Sequence, residues 1–304
     1  MAMEVLHLPD NIKVHFAGCE VQNQYIAAQL MGVRYTLYTA FPFVERKVLK
    51  TAKSPIMPLK GMENPSVDIP KYIYQHSKHV IQDSGLFTLM FGSMAGKKDE
   101  SMVNRWYDGL VEFTLEHGLD VTCVEVDCQK ILGVEKAWEF RQRMRNDLPN
   151  NRIINVFHLE DGEYGLDRMI EYSDYIAISV PELRRNQRRG YVNHLAKYIK
   201  GKKPSIDIHL LGCTELDAIR MNNFCTSCDS TSWVAGKRFG FVEGRHISRI
   251  KKDEVINLCG KDVYDKVNVY NKEQNVNFLL LQIENLKRKY QNAAGNQDYK
   301  RGWL

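Results

Sequence analysis

Val121-Thr-Cys-Val-Glu-Val-Asp127 is a short β-rich run that ends in an aspartate, and apolar residues at helical spacing follow it over 134–147. A strand followed by a helix is the repeating unit of a parallel α/β fold. Similar runs recur, and we predict eight strands: 13–17, 34–39, 79–82, 121–126, 152–157, 174–178, 205–210 and 223–228. Eight units predict a (β/α)8 barrel, although a doubly wound open sheet would show a similar alternation.

The segments between the predicted strands have helical spacing, with one irregular exception. Apolar residues recur every three or four positions in the helical segments, which are 21–31, 102–117, 134–147, 164–172, 191–199 and 214–221. Between Phe41 and Tyr74, five prolines predict an irregular insertion near residues 41–74. After Arg245 the sequence is helical and charged, with an amphipathic helix over 277–290. We therefore predict one domain, 1–304, with a barrel at about 12–245 and a helical C-terminal extension at about 246–304.

The composition is that of a folded protein without membrane contact. The 304-residue chain is 44% hydrophobic, and its net charge of +5 is too modest to indicate a nucleic-acid binder by itself. Its seven scattered cysteines, an odd number, are typical of reduced thiols in the cytoplasm. The N-terminus lacks a signal-peptide pattern, and the sequence contains no apolar run of membrane-spanning length. We expect a cytoplasmic protein.

Three aspartates lie where β-rich runs stop: Asp83, Asp127 and Asp229. The C-terminal ends of parallel strands meet on one face of a barrel, so these carboxyl groups are expected to share a pocket. Two close carboxyl groups can break and remake a glycosidic bond, one as nucleophile and the other as acid and base. The alternative for each aspartate is an N-cap of the following helix.

Four short motifs occur in the order found in tRNA-guanine transglycosylases. Gln82-Asp-Ser-Gly-Leu-Phe87 resembles the Asp-Ser-Gly-Gly-Phe-Gln signature of that family, and Val126-Asp-Cys128 resembles its base-recognising aspartate. His209-Leu-Leu-Gly212 resembles a further family strand, and Cys228-Asp-Ser-Thr-Ser-Trp233 stands where the family carries its nucleophile. The resemblance covers about residues 13–233 and is closest to phage-type members that insert 7-deazaguanine bases into DNA. The family fold is a (β/α)8 barrel.

The resemblance implies a transglycosylase that exchanges guanine in DNA for a free, preQ0-like 7-deazaguanine base. Asp229 would attack C1′ to form a covalent glycosyl-enzyme, and Asp83 would act as general acid and base. Asp127 would accept hydrogen bonds from the N1 and amino donors of a guanine-like base, which adenine cannot supply. The implied reaction needs no ATP or redox cofactor. A phage-encoded enzyme of this kind would work in the host cytoplasm.

Five further residues are expected to help bind the base. Ser84 would donate a hydrogen bond, and Gly85 would let the backbone turn sharply beside the ligand. His158 follows the fifth predicted strand, whereas Ser179 and Glu182 follow the sixth, where Glu182 is expected to meet a cationic substituent. Ordinary turn chemistry for Ser84 and a structural role for His158 are the alternatives.

The sequence does not predict a metal site. The tRNA enzymes carry a zinc site after the nucleophile, but here only Cys259 and His246 follow Asp229, which is too few ligands. Cys225 and Cys228 would point to opposite faces of an extended strand.

Basic residues also follow the predicted strand ends, where they would clamp phosphates: Arg184, Arg185, Arg188, Arg189, Lys237 and Arg238. A solvated surface loop is the alternative. Chemistry at C1′ requires the target base to leave the stack. The aromatic side chains that we considered for stacking on that base are Phe87, Phe91, Trp233 and Phe239, and we favour Trp233.

The same sequence is compatible with several other interpretations. The missing zinc region favours DNA over tRNA as the acceptor. Exchange on tRNA and a nucleoside or base hydrolase are two other interpretations. A catalytically inactive nucleic-acid-binding barrel is a third, because Leu86 and Thr88 depart from the family signature. The amphipathic C-terminal helix is compatible with packing on the barrel or with a homodimer, and a helper protein is also compatible with the sequence.

Overall fold

A closed barrel of eight parallel strands forms the centre of the molecule. The computed structural model describes residues 12–49, 69–91, 99–117, 120–186, 188, 190–234, 240–242, 244–270 and 276–294. The strands are β1 Lys13–Ala17, β2 Tyr35–Thr39, β3 His79–Asp83, β4 Thr122–Val124, β5 Ile153–Phe157, β6 Tyr175–Ser179, β7 Asp207–Leu211 and β8 Ser227–Ser230. They pair in chain order, and β8 closes the ring on β1. This closure confirms the predicted (β/α)8 barrel and excludes an open sheet.

β1 has its predicted bounds and five strands shift by one or two residues, whereas β4 and β8 differ from their predicted bounds for identifiable local reasons. β4 stops at Val124, because the Val156 N–H donates to the Glu125 carboxylate (2.9 Å) instead of to a carbonyl of the neighbouring strand. β8 begins later than predicted, because the Cys225 N–H donates to the Asn222 carbonyl (2.9 Å) and closes a turn before the strand. Asp229 therefore lies inside β8 rather than after it.

Helices follow the strands and cover the barrel: α1 Gln22–Leu30, α2 Phe41–Leu49, α3 Ile69–His76, α4 Leu86–Phe91, α5 Glu100–His117, α6 Gln129–Leu132, α7 Val134–Asp147, α8 Gly162–Tyr172, α9 Val180–Arg185, α10 Tyr191–Lys202 and α11 Leu216–Met221. Each of the six predicted helices is present. In α5, for example, Val103, Trp106 and Leu110 are buried, which is the face that the apolar spacing predicts.

The structure describes the two ends of the predicted insertion over 41–74. These ends contain α2 and α3, and residues 50–68 lie outside the described residues. Pro42 and Pro70 are each the second residue of their helix. Proline is tolerated there, because the N–H groups of the first turn have no partner within the helix. The other three prolines, at positions 55, 58 and 65, lie outside the described residues.

The chain after the barrel is helical, as predicted from residue 246. A short antiparallel pair, β9 Phe241–Val242 and β10 Arg245–His246, precedes three helices: α12 Lys252–Cys259, α13 Lys261–Tyr270 and α14 Val276–Ala294. Residues 271–275 and 295–304 lie outside the described residues. α14 packs against α1 and α11, and its Tyr290 hydroxyl donates to Ser230 Oγ (2.6 Å) at the end of β8. Among the helices that the structure describes, none combines the length and apolar character of a membrane span.

The side chains inside the barrel form two layers, an apolar layer nearer the C-terminal ends of the strands and a polar layer nearer their N-terminal ends. The apolar layer includes Ala17, Leu37, Ile81, Val124, Ile154, Val156 and Ala177. Nearer the N-terminal ends of the strands, His15 Nε2 lies 2.8 Å from His79 Nδ1. Burial lowers the pKa of His15 well below its ordinary value and that of His79 to about 4, so both rings are neutral at pH 7.

Candidate active site

A cavity of about 510 Å³ lies at the C-terminal ends of the barrel strands. Its size falls within the range of roughly 300–1,000 Å³ that is typical of small-molecule sites. Side chains of the apolar layer form its floor, and its polar lining consists of Glu20, Thr39, Asp83, Asp127, Lys130, His158, Ser179, Arg184, Arg185, Thr214, Asp229 and Thr231. The structure thus brings the three aspartates together in one cavity, while their catalytic roles remain predictions.

Asp83 is the last residue of β3 and carries a weakly acidic carboxyl group. Its Oδ2 accepts the Gly85 N–H at 3.1 Å. Burial raises the pKa of Asp83 to about 7, with further contributions from the negative charges of Asp127 and Asp229. A carboxyl group with this pKa can both give and take a proton near neutral pH.

The turn after Asp83 is tightly held. Gly85 has φ +74°, and a Cβ on it would lie 2.8 Å from the Phe41 nitrogen, so only glycine fits. The Ser84 carbonyl accepts the Trp106 Nε1–H at 3.0 Å, and Ser84 Oγ lies 3.5 Å from the Leu86 nitrogen. Neither Ser84 nor Gly85 is among the residues that line the cavity, so in this structure they shape the turn that presents Asp83.

Asp229 is held by two donors on one of its oxygens. Oδ1 accepts the Gly212 N–H at 2.6 Å and lies 3.2 Å from His209 Nε2. His209 Nδ1 lies 2.6 Å from Ser227 Oγ, which lies 2.5 Å from the Tyr175 hydroxyl. If Tyr175 donates to Ser227 and Ser227 donates to the imidazole, His209 carries its proton on Nε2 and donates to Asp229. Oδ2, for which the described residues provide no hydrogen bond, is then the oxygen available for attack.

Asp127 belongs to a chain of alternating charges. His158 Nε2 lies 3.1 Å from Asp127 Oδ2, His158 Nδ1 lies 3.0 Å from Glu182 Oε2, and Lys130 Nζ donates to Glu182 Oε1 at 2.5 Å. Burial alone would lower the pKa of His158, but the two carboxylates raise it to about 10. Burial would raise the pKa of Glu182, but His158 and Lys130 lower it to about 2. His158 and Glu182 are therefore both charged at neutral pH.

This series of ion pairs corrects the predicted role of Glu182. Both of its oxygens are occupied by cations of the protein itself, and its side chain is 4% exposed. It therefore does not offer a free counter-ion to a cationic substituent on a ligand. His158 and Ser179 do line the cavity, His158 as the residue that fixes Asp127.

The basic residues fall into three groups. Arg184 and Arg185 line the cavity, and Arg184 also pairs with Glu215 at 2.8 Å. Arg188 lines a neighbouring cavity instead. The remaining predicted phosphate contacts, Arg189, Lys237 and Arg238, lie outside the described residues.

The aromatic residues predicted to stack on the base differ in their exposure to the cavity. Phe87 lines the cavity and is 54% exposed, which suits contact with a ligand. Trp233, which the sequence favoured for stacking, is fully buried and donates from Nε1 to the Ala17 carbonyl at 2.7 Å. Its large apolar surface belongs to the core, so that prediction was wrong. The side chains of Phe91 and Phe239 lie outside the described residues.

Sequence reasoning missed two charged residues of the cavity. Glu20 lies three positions after β1, so the strand-end rule that selected the aspartates also applies to it. Its Oε2 accepts the Thr39 N–H at 3.2 Å, and burial raises its pKa. Lys130 lies in α6 and carried no comparable signal, because its position depends on the fold of the loop after β4.

One cluster of described residues has the spacing of metal ligands: His158, Glu160 and Glu182. The Lys130 ammonium already lies 2.5 Å from Glu182 and 3.9 Å from Glu160. A protein cation thus occupies the place that a metal ion would take. All seven cysteines are free thiols, Cys225 and Cys228 among them.

Comparisons with known proteins leave the reaction unassigned. No family model matches the sequence, and no curated protein matches it. Among solved structures, the chain is similar to a fructose-bisphosphate aldolase from Campylobacter jejuni, with 11% identity and a TM-score of 0.48 over 94% of this chain and 91% of that one. It is also similar to an intracellular xylanase from Thermoanaerobacterium saccharolyticum, with 12% identity and a TM-score of 0.34 over 73% of this chain and 86% of that one. At these values neither similarity indicates a substrate.

Proposed function

We propose that the protein is a DNA-guanine transglycosylase, a pentosyltransferase that exchanges guanine in DNA for a free 7-deazaguanine base. The observation that carries the proposal is the shared cavity of Asp83, Asp127 and Asp229, in which Asp83 has a pKa of about 7. A nucleophilic carboxylate beside a carboxyl group that can transfer protons is the arrangement that glycosyl exchange needs. The order of the sequence motifs supports the same reaction.

In the first half-reaction, Asp229 Oδ2 attacks C1′ of the target nucleotide. The C1′–N9 bond breaks, its electron pair stays with guanine, and protonated Asp83 gives the leaving base a proton. His209 and the Gly212 N–H hold Asp229 by its other oxygen, so the attacking oxygen is oriented before the substrate binds.

In the second half-reaction, the incoming base replaces guanine in the cavity. Its N9–H gives a proton to Asp83, which is now a carboxylate, and N9 attacks C1′ while the bond to Asp229 breaks. Asp229 and the protonated Asp83 are thereby restored. The sugar keeps its configuration, because the two displacements each invert C1′.

The charges of the cavity favour a base with a neutral 7-substituent. Asp127 can accept hydrogen bonds from the N1 and amino donors of a guanine-like ring, since His158 holds its side chain in place. Glu182 is neutralised, and Lys130, Arg184 and Arg185 add positive charge to the lining. A cationic substituent would therefore find no free counter-ion at Glu182, whereas the neutral substituent of preQ0 needs none.

Base exchange with labelled guanine and labelled preQ0 tests this proposal. Each base is supplied with duplex DNA, single-stranded DNA and tRNA in parallel, and we expect label in DNA. Asp229→Ala should abolish incorporation, while Asp217→Ala, whose carboxylate is 87% exposed on α11, should leave it unchanged. Label in tRNA alone would identify an RNA enzyme, and release of guanine without incorporation would identify a hydrolase. If guanine is neither released nor incorporated, the inactive nucleic-acid-binding barrel is favoured.

A further inference from the structure

A second cavity of about 330 Å³ lies on the outer side of the wall that carries His158. Its lining includes Phe157, Leu159, Leu166, Arg188, Tyr191 and Leu195. Its volume is at the lower end of the range of small-molecule sites. Neither the sequence motifs nor the proposed half-reactions make use of this cavity.

The second cavity combines an apolar base with exposed aromatic rings and a cation. Tyr191 begins α10 and is 48% exposed. The Arg188 guanidinium lies 5.8 Å from the Tyr191 ring centre, and the His194 ring lies 5.4 Å from it. Such a combination suits a flat aromatic ring, which stacks on tyrosine while the arginine holds an adjacent negative charge.

The two cavities share their wall. His158 lines the active-site cavity, whereas its chain neighbours Phe157 and Leu159 line the second one. In the same way, Arg184 and Arg185 line the first cavity and Arg188 lines the second. A strand that enters both cavities would therefore pass along a short arginine-bearing segment between them.

We propose that the second cavity binds a nucleobase that flanks the target nucleotide in the same DNA strand. The flanking base stacks on Tyr191, and the phosphate between the two nucleotides lies against the arginines of the shared wall. This inference rests on the proposed function, because it requires a polynucleotide in the active-site cavity. Binding of the flanking base would stabilise the strand in the conformation in which the target base has left the stack.

The inference is tested by removing one flanking base from the DNA and the Tyr191 ring from the protein. Binding of a fluorescent single-stranded DNA is compared with binding of the same strand in which one flanking nucleotide lacks its base. For the wild type we expect the missing base to weaken binding about 5- to 150-fold, the range for one base stacked on an aromatic side chain. Tyr191→Ala should weaken binding of the intact strand by a similar factor. This variant should bind the intact strand and the strand with the missing base equally well.

Two control variants make the result specific. Tyr191→Phe keeps the ring and should retain the discrimination. Tyr164→Ala removes an aromatic ring that is 82% exposed on α8 and does not line the cavity, so it should bind like the wild type. If Tyr191→Ala still discriminates as the wild type does while base exchange proceeds, this inference is wrong and the proposed function stands. If the wild type neither binds DNA nor exchanges its bases, both are overturned.

Discussion

Asp229 and His209 show how a single side chain is set for chemistry by groups buried beneath it. Ser227 and Tyr175 complete the chain below the imidazole, and this chain favours the His209 tautomer with its proton on Nε2. The sequence placed Asp229 at a strand end and His209 in a separate motif, but it did not indicate that the two side chains are hydrogen-bonded. The pairing of His209 with Ser227 depends on the register between β7 and β8, which cannot be read from either strand alone.

We predict that His209→Phe slows guanine release with little effect on substrate binding. A hydrogen bond to a charged group contributes about 1.5–3 kcal/mol, so the single-turnover rate should fall roughly 10- to 150-fold. His209→Gln, which keeps a donor in the side chain, should recover part of the rate. An unchanged rate in His209→Phe, or equal losses in both variants, would contradict the positioning role.

Asp83 gives the reaction a pH dependence. Because its pKa is about 7 instead of its ordinary 3.8, it carries the proton needed by the leaving base only below about pH 7. We expect kcat/KM for guanine release to fall as pH rises through this value. Asp127→Asn removes a negative charge that raises the pKa of Asp83, so the fall should move to lower pH. A profile that is flat between pH 6 and pH 8, or one that Asp127→Asn does not move, would refute the assignment.

At the scale of elements, the turn between β3 and α4 fixes the geometry of the site. A Cβ on Gly85 would meet the Phe41 Cβ and nitrogen at 2.8 Å and its Cα at 2.9 Å. Because backbone atoms of Phe41 are part of the obstacle, a side chain at position 85 cannot be accommodated by a rotamer change alone. Either α2 moves away from the barrel, or the turn moves away from α2. The sequence predicted a sharp turn at Gly85, but the contact with α2 depends on tertiary packing.

Gly85→Ala should therefore destabilise the fold more than a glycine substitution that meets only backbone strain. Gly133 is the matched control, because its φ is +85° and a Cβ there meets nothing within 4 Å. We expect Gly133→Ala to lower the free energy of unfolding by about 1 kcal/mol and Gly85→Ala to lower it by about 2–4 kcal/mol. Urea unfolding measures both, and equal losses would show that the Phe41 contact is unimportant.

The elements themselves were largely predictable, and their deviations have local causes. Alternating β-rich and helical runs identified all eight strands, because buried parallel strands are short, apolar and well separated. The errors arose where one side chain or turn intervened: the Glu125 carboxylate at the end of β4, and the turn before β8. Lys130 escaped notice because an ordinary helical lysine becomes part of the site only through contact with Glu182.

At the scale of the whole molecule, α14 ties the C-terminal extension to the barrel through a buried lysine. Lys287 is 2% exposed and donates to the Met31 carbonyl at the end of α1. Burial lowers its pKa to about 7, an effect that Glu284 only partly offsets. The unfolded chain, with an ordinary lysine pKa of roughly 10.4, binds this proton over a pH range in which the folded protein has released it.

Stability should therefore rise with pH between about 7 and 10 because of Lys287, and this contribution is lost as pH falls through 7. Between pH 7 and pH 9, the free energy of unfolding of the wild type should increase relative to that of Lys287→Met by up to about 2 kcal/mol. Lys289→Met, which removes an exposed lysine of the same helix, should keep the wild-type slope. If wild type and Lys287→Met respond alike to pH, the lysine is not held as described.

Trapping of the covalent intermediate tests the proposed chemistry most directly. The protein is mixed with guanine-containing DNA while the free base is omitted, then denatured and examined by intact mass and peptide mapping. We predict an adduct on the peptide that contains Asp229, one released guanine for each adduct, and loss of the adduct when preQ0 is added. Absence of any adduct, or an adduct that persists in Asp229→Ala, would contradict the account.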